Sequence, residues 1–354
     1  MSTHQHQNFR LRGIPCEFQT RLKVRKLVKK VLRIESGASC VVHSLAVNPA
    51  ESRSKIATLS FHTLPALLSK NPRNEWIFDQ PAKDALSEET SDEDDFGLKS
   101  PLVFDTHFSG FTPLHHTRDQ DCHADIIVMS GLGGHALGSF KERDGPFVWI
   151  RDALSLDVPG ARVLTYGYDT GLGVQSSSQI RAIIFIGHSL GGLVIKEAVV
   201  KLKDENDELG QSILKSVSGF LFFGPNRSLL ESLYKNSALL QRLDAKFCSA
   251  LSAKRPQTVA FYETEQSRTA VQTEDGRWEL SGPLEVLVDV TSATCGCTRQ
   301  HPIDRNHREM VKYSNHYDQL YTRVKIALGS LLNTQHSAPV QAGPAKDERA
   351  LNTA

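Results

Sequence analysis

The stretch Ala182-Ile183-Ile184-Phe185-Ile186-Gly187-His188-Ser189-Leu190-Gly191-Gly192-Leu193-Val194 decides the fold. Its first five residues are apolar and rich in isoleucine, which is typical of a strand covered on both faces of a parallel sheet. The apolar residues after Gly192 recur at helical spacing. The pattern Gly-His-Ser-Leu-Gly between them predicts a tight strand-to-helix turn that presents Ser189 as a candidate nucleophile. The alternative is a Gly-Ser loop between unrelated elements.

The residue types in this turn suit nucleophilic chemistry. A serine hydroxyl is a weak nucleophile unless it is held against a base and left accessible to substrate. Gly187 and Gly191 have no Cβ, so neighbouring backbone can approach the turn closely. The amide of Leu190 opens the predicted helix and is placed to stabilise a developing oxyanion.

A glycine-rich loop, Ser130-Gly131-Leu132-Gly133-Gly134, follows the predicted strand Asp125–Met129. In parallel sheets that carry such a serine turn, a second oxyanion donor comes from a loop of this kind. The position of Leu132 favours its amide as that donor, and Gly131 is expected to line the site. The other use of a glycine-rich loop is a phosphate cradle. The dinucleotide spacing and a Gly-Lys-Ser/Thr sequence are both absent, which argues against nucleotide binding.

Where a parallel sheet presents a serine on such a turn, the members of a catalytic triad follow one another along the chain as serine, acid, histidine. His307 is the first choice for the base, with His301 and His316 as alternatives, and His188 lines the site without acting as the base. Glu263 is the first choice for the acid because it ends a predicted late strand, Val259–Glu263, at the catalytic edge. Three other carboxylates remain open as the acid: Glu265, Asp289 and Asp304. A second late strand is predicted over Leu284–Val290.

Composition limits the class of protein. The 354 residues carry a net charge of +1, which gives no general attraction to nucleic acid or to an anionic membrane. We see no apolar run of about eighteen residues and no hydrophobic signal peptide. We therefore expect no transmembrane segment and an intracellular, cytoplasmic protein, with association to a mitochondrial or endoplasmic-reticulum membrane as the alternative.

The cysteines indicate reduced thiols rather than a disulfide framework, because the six of them show no short-spaced pattern. Only Cys295-Gly296-Cys297 stands out, and a zinc site with His301 and His307 is weakly supported by the ligand spacing. We expect neither a metal nor an organic cofactor.

Four segments are predicted: an N-terminal module at 1–80, an acidic disordered linker at 81–100, an α/β-hydrolase domain at 101–334 and a disordered tail at 335–354. The order β-α-β-β-α in the first segment predicts a small ferredoxin-like module. Its sheet resembles an RNA-recognition motif, but Ile56 and Thr58 occupy the stacking positions, so we expect no nucleic-acid partner. The basic amphipathic helix at 21–33 is a solvated face or a peripheral membrane contact.

Several motifs after residue 101 resemble fungal α/β-hydrolase-like proteins related to the serine-active-site-containing family, and more distantly inositol-deacylating lipases. Related domains stand at the front of fungal nucleotide-binding receptor-like proteins. The resemblance implies an α/β-hydrolase fold over residues 101–330 and an ester-hydrolase ancestry, with acyl esters, including lipids, as substrates. It rests on these segments: Ser130–His135, Trp149–Asp152, Arg162–Tyr168, Phe185–Lys196, Gly219–Gly224, Phe261–Glu263, Ser292-Ala293 and His307-Arg308.

Two connections are shorter than the resemblance implies. The segment Asp169–Arg181 has no apolar stripe, so it does not supply the helix that normally covers a parallel crossover. After Phe222-Phe223-Gly224 the chain also lacks the usual long cap connection. One sheet face would then be exposed, which implies a protein partner that covers it, a destabilised fold or a truncated gene. A catalytically inactive interaction module is therefore the alternative to an esterase.

Overall fold

Two β-sheets, of five and seven strands, organise the part of the chain that the computed structural model describes. That part is residues 7–34, 39–69, 71–79, 100–115, 119–131, 134–168, 181–224, 237–253, 256–269, 271–273, 275–276, 278–279, 281–288, 297 and 299–333. Residues 81–99 of the predicted acidic linker, the crossover at 169–180, the connection at 225–236 and the predicted tail lie outside it.

The first sheet is antiparallel, with the strand order β2-β3-β1-β5-β4. Its strands are β1 (Asn8–Pro15), β2 (Cys40–Val47), β3 (Ser54–Phe61), β4 (Glu75–Phe78) and β5 (Leu102–Asp105). The second helix of the predicted order β-α-β-β-α is a single 3-10 turn, Ala66–Leu68. The sheet also extends past the predicted linker, because β5 pairs with β1. The ferredoxin-like module and the segment boundaries remain predictions.

Helix α1 (Arg21–Val31) packs on this sheet with its apolar side. The Thr20 side chain accepts a hydrogen bond from the Lys23 amide, which caps the first turn. Val24, Leu27 and Val28 are buried. Because the apolar side is used inside the protein, a membrane contact through residues 21–33 would depend on the basic side chains.

The second sheet fits an α/β-hydrolase fold, in agreement with the sequence. Its strand order is β16-β11-β10-β9-β7-β8-β6, parallel throughout except for β6 against β8. The strands are β6 (Gly110–Pro113), β7 (Ala124–Met129), β8 (Ala161–Gly167), β9 (Ala182–His188), β10 (Val217–Phe223), β11 (Gln257–Glu263) and β16 (Arg299–Ile303). The described residues between β11 and β16 include four two-residue strands: β12 (Ser267–Arg268), β13 (Val271–Gln272), β14 (Trp278–Glu279) and β15 (Leu284–Glu285).

Helices pack on both faces of this sheet. The helices are α2 (Trp149–Asp152), α3 (Leu154–Asp157), α4 (Leu190–Glu205), α5 (Glu208–Ser216), α6 (Ser237–Ala250) and α7 (Gln319–Asn333). Strand β10 shows the division, since Leu221 and Phe223 join the core beside α2 and α7, whereas Phe220 and Phe222 join the core beside α4 and α6. The expectation of an uncovered sheet face rested on the connection at 169–180, which lies outside the described residues.

The prediction of a strand over Leu284–Val290 is wrong in its placement. Of the described residues 284–288, only Leu284–Glu285 is extended, and it pairs with Ser267–Arg268 outside the large sheet. The neighbour of β11 is instead β16, which the sequence did not signal. An edge strand reading Arg-Gln-His-Pro-Ile carries few apolar residues, because much of it faces solvent.

One buried arginine joins the two sheets. Arg10 of β1 donates to Asp105 Oδ2 at 2.9 Å, and also to the Ser109 carbonyl at 2.8 Å and to Thr112 Oγ1 of β6 at 3.0 Å. Arg12 donates to the same Asp105 oxygen at 3.1 Å.

Within the described ranges, the helices are all too short or too polar to cross a bilayer.

Candidate active site

Ser189 stands at the turn between β9 and α4 with a positive φ of 53° and a ψ of −125°. Such a conformation costs about 1–3 kcal/mol in a non-glycine residue, so surrounding contacts must hold it. Its amide donates to the Phe223 carbonyl of β10 at 2.9 Å, and its carbonyl accepts from the Gly192 amide at 3.0 Å. Backbone hydrogen bonds on both sides therefore fix the strained turn.

Glycines surround this turn because the backbone has no room for a side chain. A Cβ on Gly191 would lie 2.5 Å from the Ser130 carbonyl oxygen, and one on Gly187 would lie 2.8 Å from the Gly192 Cα. Real Cβ atoms do not approach backbone that closely. The start of α4 is thus pressed against the carboxyl end of β7.

The glycine-rich loop lies directly beside the serine side chain. A Cβ on Gly131 would stand 2.9 Å from Ser189 Cβ and 3.3 Å from Ser189 Oγ. Leu190 is the first residue of α4. Leu132, the predicted second oxyanion donor, lies outside the described residues.

His307 and Glu263 form a buried hydrogen-bonded pair. His307 Nδ1 lies 2.6 Å from Glu263 Oε2, and the two residues are 5% and 3% exposed. The other carboxylate oxygen, Oε1, accepts the amides of Leu287 at 2.6 Å and Val288 at 3.2 Å. The carboxylate therefore fixes the imidazole ring with its proton on Nδ1, which leaves Nε2 as the basic nitrogen.

Nε2 of His307 is buried and has no hydrogen-bond partner among the described residues. Gly224, with a φ of +46°, lies under the ring, and a Cβ there would come within 3.0 Å of both Cε1 and Nδ1. The sequence reasoning missed this contact. An apolar strand that ends in glycine, as Phe222-Phe223-Gly224 does, is the signal that indicates it.

His188 links the serine turn to the His307 segment. Its Nε2 lies 2.9 Å from the His307 carbonyl oxygen, and the two rings are 5.0 Å apart. Burial, with a smaller contribution from the neighbouring His307 ring, lowers the pKa of His188 to about 3. His188 is therefore neutral at physiological pH, with the proton on Nε2, which faces a carbonyl.

The rival acids lie in different surroundings. Glu265 and Asp304 are exposed, and Asp304 accepts a hydrogen bond from Thr264 Oγ1 at 2.9 Å. Asp289 lies outside the described residues. Of the carboxylates that the structure describes, Glu263 is the one bonded to His307.

The rival histidines contact other parts of the fold. His301 lies on β16 with its ring 5.3 Å from that of Phe261. His316 Nε2 lies 3.6 Å from Asp157 Oδ1, at the end of α3. Within the part of the chain described, neither histidine forms a hydrogen bond or ion pair with Glu263 or Ser189.

Tyr168 is a second residue that the sequence reasoning missed. It follows β8, and its hydroxyl donates to the Ser130 carbonyl oxygen at 2.5 Å. Burial raises the pKa of Tyr168 to about 12, so the hydroxyl keeps its proton at physiological pH. Tyr168 thereby anchors the start of the glycine-rich loop. An aromatic residue at the carboxyl end of a parallel strand was the available signal.

One group of metal-ligand types occurs in the described ranges, Glu75, Asp105 and His107. Arg12 pairs with both carboxylates and Arg10 pairs with Asp105, so the oxygens already face two guanidinium groups. These residues form an ion-pair network and are poorly suited to a cation. The zinc site that the spacing of cysteines and histidines weakly supports included Cys295 and Cys297. Cys295 lies outside the described residues, and Cys297 Sγ donates to the Arg299 carbonyl.

Comparisons with known proteins relate part of this chain to a family of putative esterases. A family model described as "Putative serine esterase (DUF676)" matches residues 156–261. Protein SERAC1 from Bos taurus and from Homo sapiens is 22% identical over 286 residues, which cover 64% of this chain and 42% of each relative. The chain thus spans about two fifths of the length of the curated relatives that it matches.

A solved structure, an inhibited esterase B from Lactobacillus rhamnosis, is 12% identical with a TM-score of 0.30, covering 75% of this chain and 90% of that one. That superposition is too weak to bear on the fold. The family match runs from α3 into β11 and contains Ser189 but neither Glu263 nor His307. Over residues 156–261 the chain is similar to a family described as putative serine esterases, and its mostly parallel sheet with helices on both faces fits an α/β-hydrolase fold.

Proposed function

We propose that this protein hydrolyses carboxylic esters, acyl lipids among them, with Ser189 as nucleophile, His307 as general base and Glu263 as the acid that orients it. The observation that carries the proposal is the 2.6 Å contact between His307 and Glu263 beside the strained Ser189 turn. Strained backbone is retained where the surrounding structure and function require it.

In the acylation step, Ser189 Oγ transfers its proton to His307 Nε2 and attacks the ester carbonyl carbon. The carbonyl π electrons move onto oxygen, and the amides of Leu190 and Leu132 stabilise the resulting oxyanion. When the tetrahedral intermediate collapses, the alcohol leaves with the proton from His307 Nε2. An acyl group then remains on Ser189.

In the deacylation step, a water molecule gives a proton to His307 Nε2 and attacks the acyl carbon. The second intermediate releases the carboxylic acid and returns the proton to Ser189 Oγ. Glu263, hydrogen-bonded to Nδ1, holds the tautomer of His307 and stabilises the imidazolium. His188 cannot replace His307 as the base, because burial lowers its pKa and so opposes protonation of its ring.

The two oxyanion donors are assigned from the positions of the serine turn and of the glycine-rich loop. Leu190 begins α4, where backbone amides are unpaired and the helix dipole favours negative charge. The loop approaches Ser189 at Gly131, one residue before Leu132. Removing one such donor typically costs about 10²–10³ in turnover.

Labelling with a fluorophosphonate probe tests the proposal, because the probe reacts with an activated serine and not with ordinary hydroxyls. We expect the purified protein to be labelled and Ser189→Ala to be unlabelled. The matched control is Ser155→Ala, which alters a helix serine that bonds to the Arg151 carbonyl, and this variant should be labelled like the original protein.

Equal labelling of the protein and of Ser189→Ala, or no labelling of either, would contradict the esterase. The inactive interaction module would then be the better account of the chain.

A further inference from the structure

His135 follows the glycine-rich loop, and both nitrogens of its ring bond to backbone. Nδ1 accepts the amides of Leu137 at 3.1 Å and Gly138 at 2.8 Å, and Nε2 lies 2.8 Å from the Thr106 carbonyl oxygen. Because two amide donors face Nδ1, the ring proton is on Nε2, which donates to that carbonyl. Burial lowers the pKa of the ring, which favours this neutral form. The proposed mechanism uses none of these contacts.

The carbonyl that accepts from His135 belongs to the first sheet. Thr106 directly follows β5, and its amide donates to the Asn74 carbonyl at 3.1 Å, at the start of β4. The side chain of Asp105, the last residue of β5, accepts the Phe108 amide at 2.9 Å. The Phe108 ring then packs edge-on against the His135 ring, with 4.9 Å between the ring centres. His135 is therefore held by a segment outside the hydrolase-like sheet.

The loop that precedes His135 reaches the candidate nucleophile. Gly131 has no room for a Cβ beside the Ser189 side chain. The amide of Gly134 donates to the Gly131 carbonyl oxygen at 3.0 Å, so the two described sides of the loop are joined directly. Leu132, the proposed oxyanion donor, comes between them in the chain. A displacement of His135, the residue after Gly134, would therefore displace this donor.

We propose that His135 is a positioning residue, whose hydrogen bond to Thr106 uses the first sheet to hold the glycine-rich loop and its oxyanion donor in place beside Ser189. This inference rests on the proposed esterase function and gives the N-terminal sheet a part in it. Oxyanion donors act at about 2.7–3.1 Å from the developing charge, and a displacement of about 1 Å can lower the rate about 10²-fold. Tyr168 anchors the start of the loop, and His135 anchors its end.

The test compares kcat/KM for ethyl butyrate and for its thionoester, in which sulfur replaces the carbonyl oxygen. Sulfur is a weaker hydrogen-bond acceptor than oxygen, so well-placed oxyanion donors favour the oxygen ester. We expect His135→Ala to lower kcat for ethyl butyrate by about 10–10², with KM within about threefold, and to lower the ester-to-thionoester ratio by about tenfold. A loss of folded protein alone would lower both rates equally, and this result would overturn the inference.

Two variants separate the roles of the two ring nitrogens. His135→Gln places an NH₂ donor near the position of Nε2, so it keeps the bond to Thr106 and should keep the ratio within about threefold. His135→Asn places an oxygen near the position of Nδ1 and keeps the bonds from Leu137 and Gly138, but it does not reach Thr106, so its ratio should fall as in His135→Ala. A ratio that persists in His135→Asn and falls in His135→Gln would mean that the ring only shapes its own turn, and would overturn the inference.

His43→Ala is the matched control, because His43 is a histidine of the first sheet that bonds to Ser60 Oγ rather than to the loop. Its ester-to-thionoester ratio should equal that of the unaltered protein. An unchanged ratio in His135→Ala, in protein that fluorophosphonate labels at Ser189, would contradict the positioning role alone. Unaltered protein that is neither labelled nor active on ethyl butyrate would contradict the esterase function itself.

Discussion

At the scale of single residues, the carboxylate of Glu263 is held at both oxygens. One oxygen bonds to His307, and the other accepts two backbone amides from the segment that returns toward the large sheet. An amide side chain of the same shape cannot accept at both positions. The NH₂ group would meet either the Nδ1–H of His307 or the two amides, and each of those is a donor.

We therefore predict that Glu263→Gln lowers kcat by about 10²–10⁴, as removal of the orienting carboxylate does in comparable triads. The measurement is the steady-state hydrolysis of a short-chain ester. Asp304→Asn is the matched control, because Asp304 is an exposed rival carboxylate close to His307 in the chain. This substitution should change kcat by no more than about threefold. A larger loss in Asp304→Asn than in Glu263→Gln would reverse the assignment of the acid.

At the scale of elements, the strands with strong apolar patterns were predictable and the edge strand was not. Strands β7, β9 and β10 are buried and read as continuous apolar runs, and the helix after Ser189 shows a clear apolar side. Strand β16 lies at the sheet edge, where alternate side chains face water and a proline is tolerated. Its place beside β11 follows from long-range pairing, which a local pattern does not contain.

In the first sheet, His43 of strand β2 is a buried histidine whose protonation should lower the stability of the protein. His43 Nε2 lies 2.8 Å from Ser60 Oγ, and burial lowers the pKa of His43 to about 4. The charges of Arg151 and, to a smaller extent, Arg21 contribute to this lowering of the pKa, and the charge of Asp152 opposes it. The unfolded chain, with an ordinary histidine pKa, binds this proton more readily than the folded protein, so stability falls as the pH drops from about 6.5 to about 4.

We predict that the free energy of unfolding falls less steeply between pH 7 and pH 4.5 in His43→Gln than in the unaltered protein. The difference should be about 1–3 kcal/mol, because the glutamine amide cannot take up a proton. Urea unfolding at the two pH values measures it. His188 titrates in the same direction and is unchanged in the variant, so an identical pH dependence in both proteins would show that His43 is not the source.

At the scale of the whole molecule, a buried ion-pair network holds the two sheets against each other. Asp105 ends β5 and accepts hydrogen bonds from Arg10 and Arg12, and Arg10 reaches β6 of the second sheet. Arg10 and Asp105 are 2% and 0% exposed at their side chains. Removing one partner of such a pair leaves a buried charge without compensation.

We predict that Asp105→Ala destabilises the protein by about 3–5 kcal/mol, the usual cost of breaking a buried pair. Thermal or urea unfolding measures the change. Arg143→Ala removes an exposed ion pair with Glu309, and its unfolding midpoint should stay close to that of the unaltered protein. Equal midpoints for the two variants would show that the buried network contributes no more than a surface pair.

The sequence by itself determined the serine turn, the glycine-rich loop and the mostly parallel sheet, because each is encoded in residues that are close together in the chain. Gly187, Ser189 and Gly191 specify the turn locally, since a Cβ at either glycine position would clash with backbone. The sequence could not choose among four carboxylates for the acid. Only the tertiary structure paired Glu263 with His307, since the two are 44 residues apart and their contact depends on burial and on the amides of Leu287 and Val288.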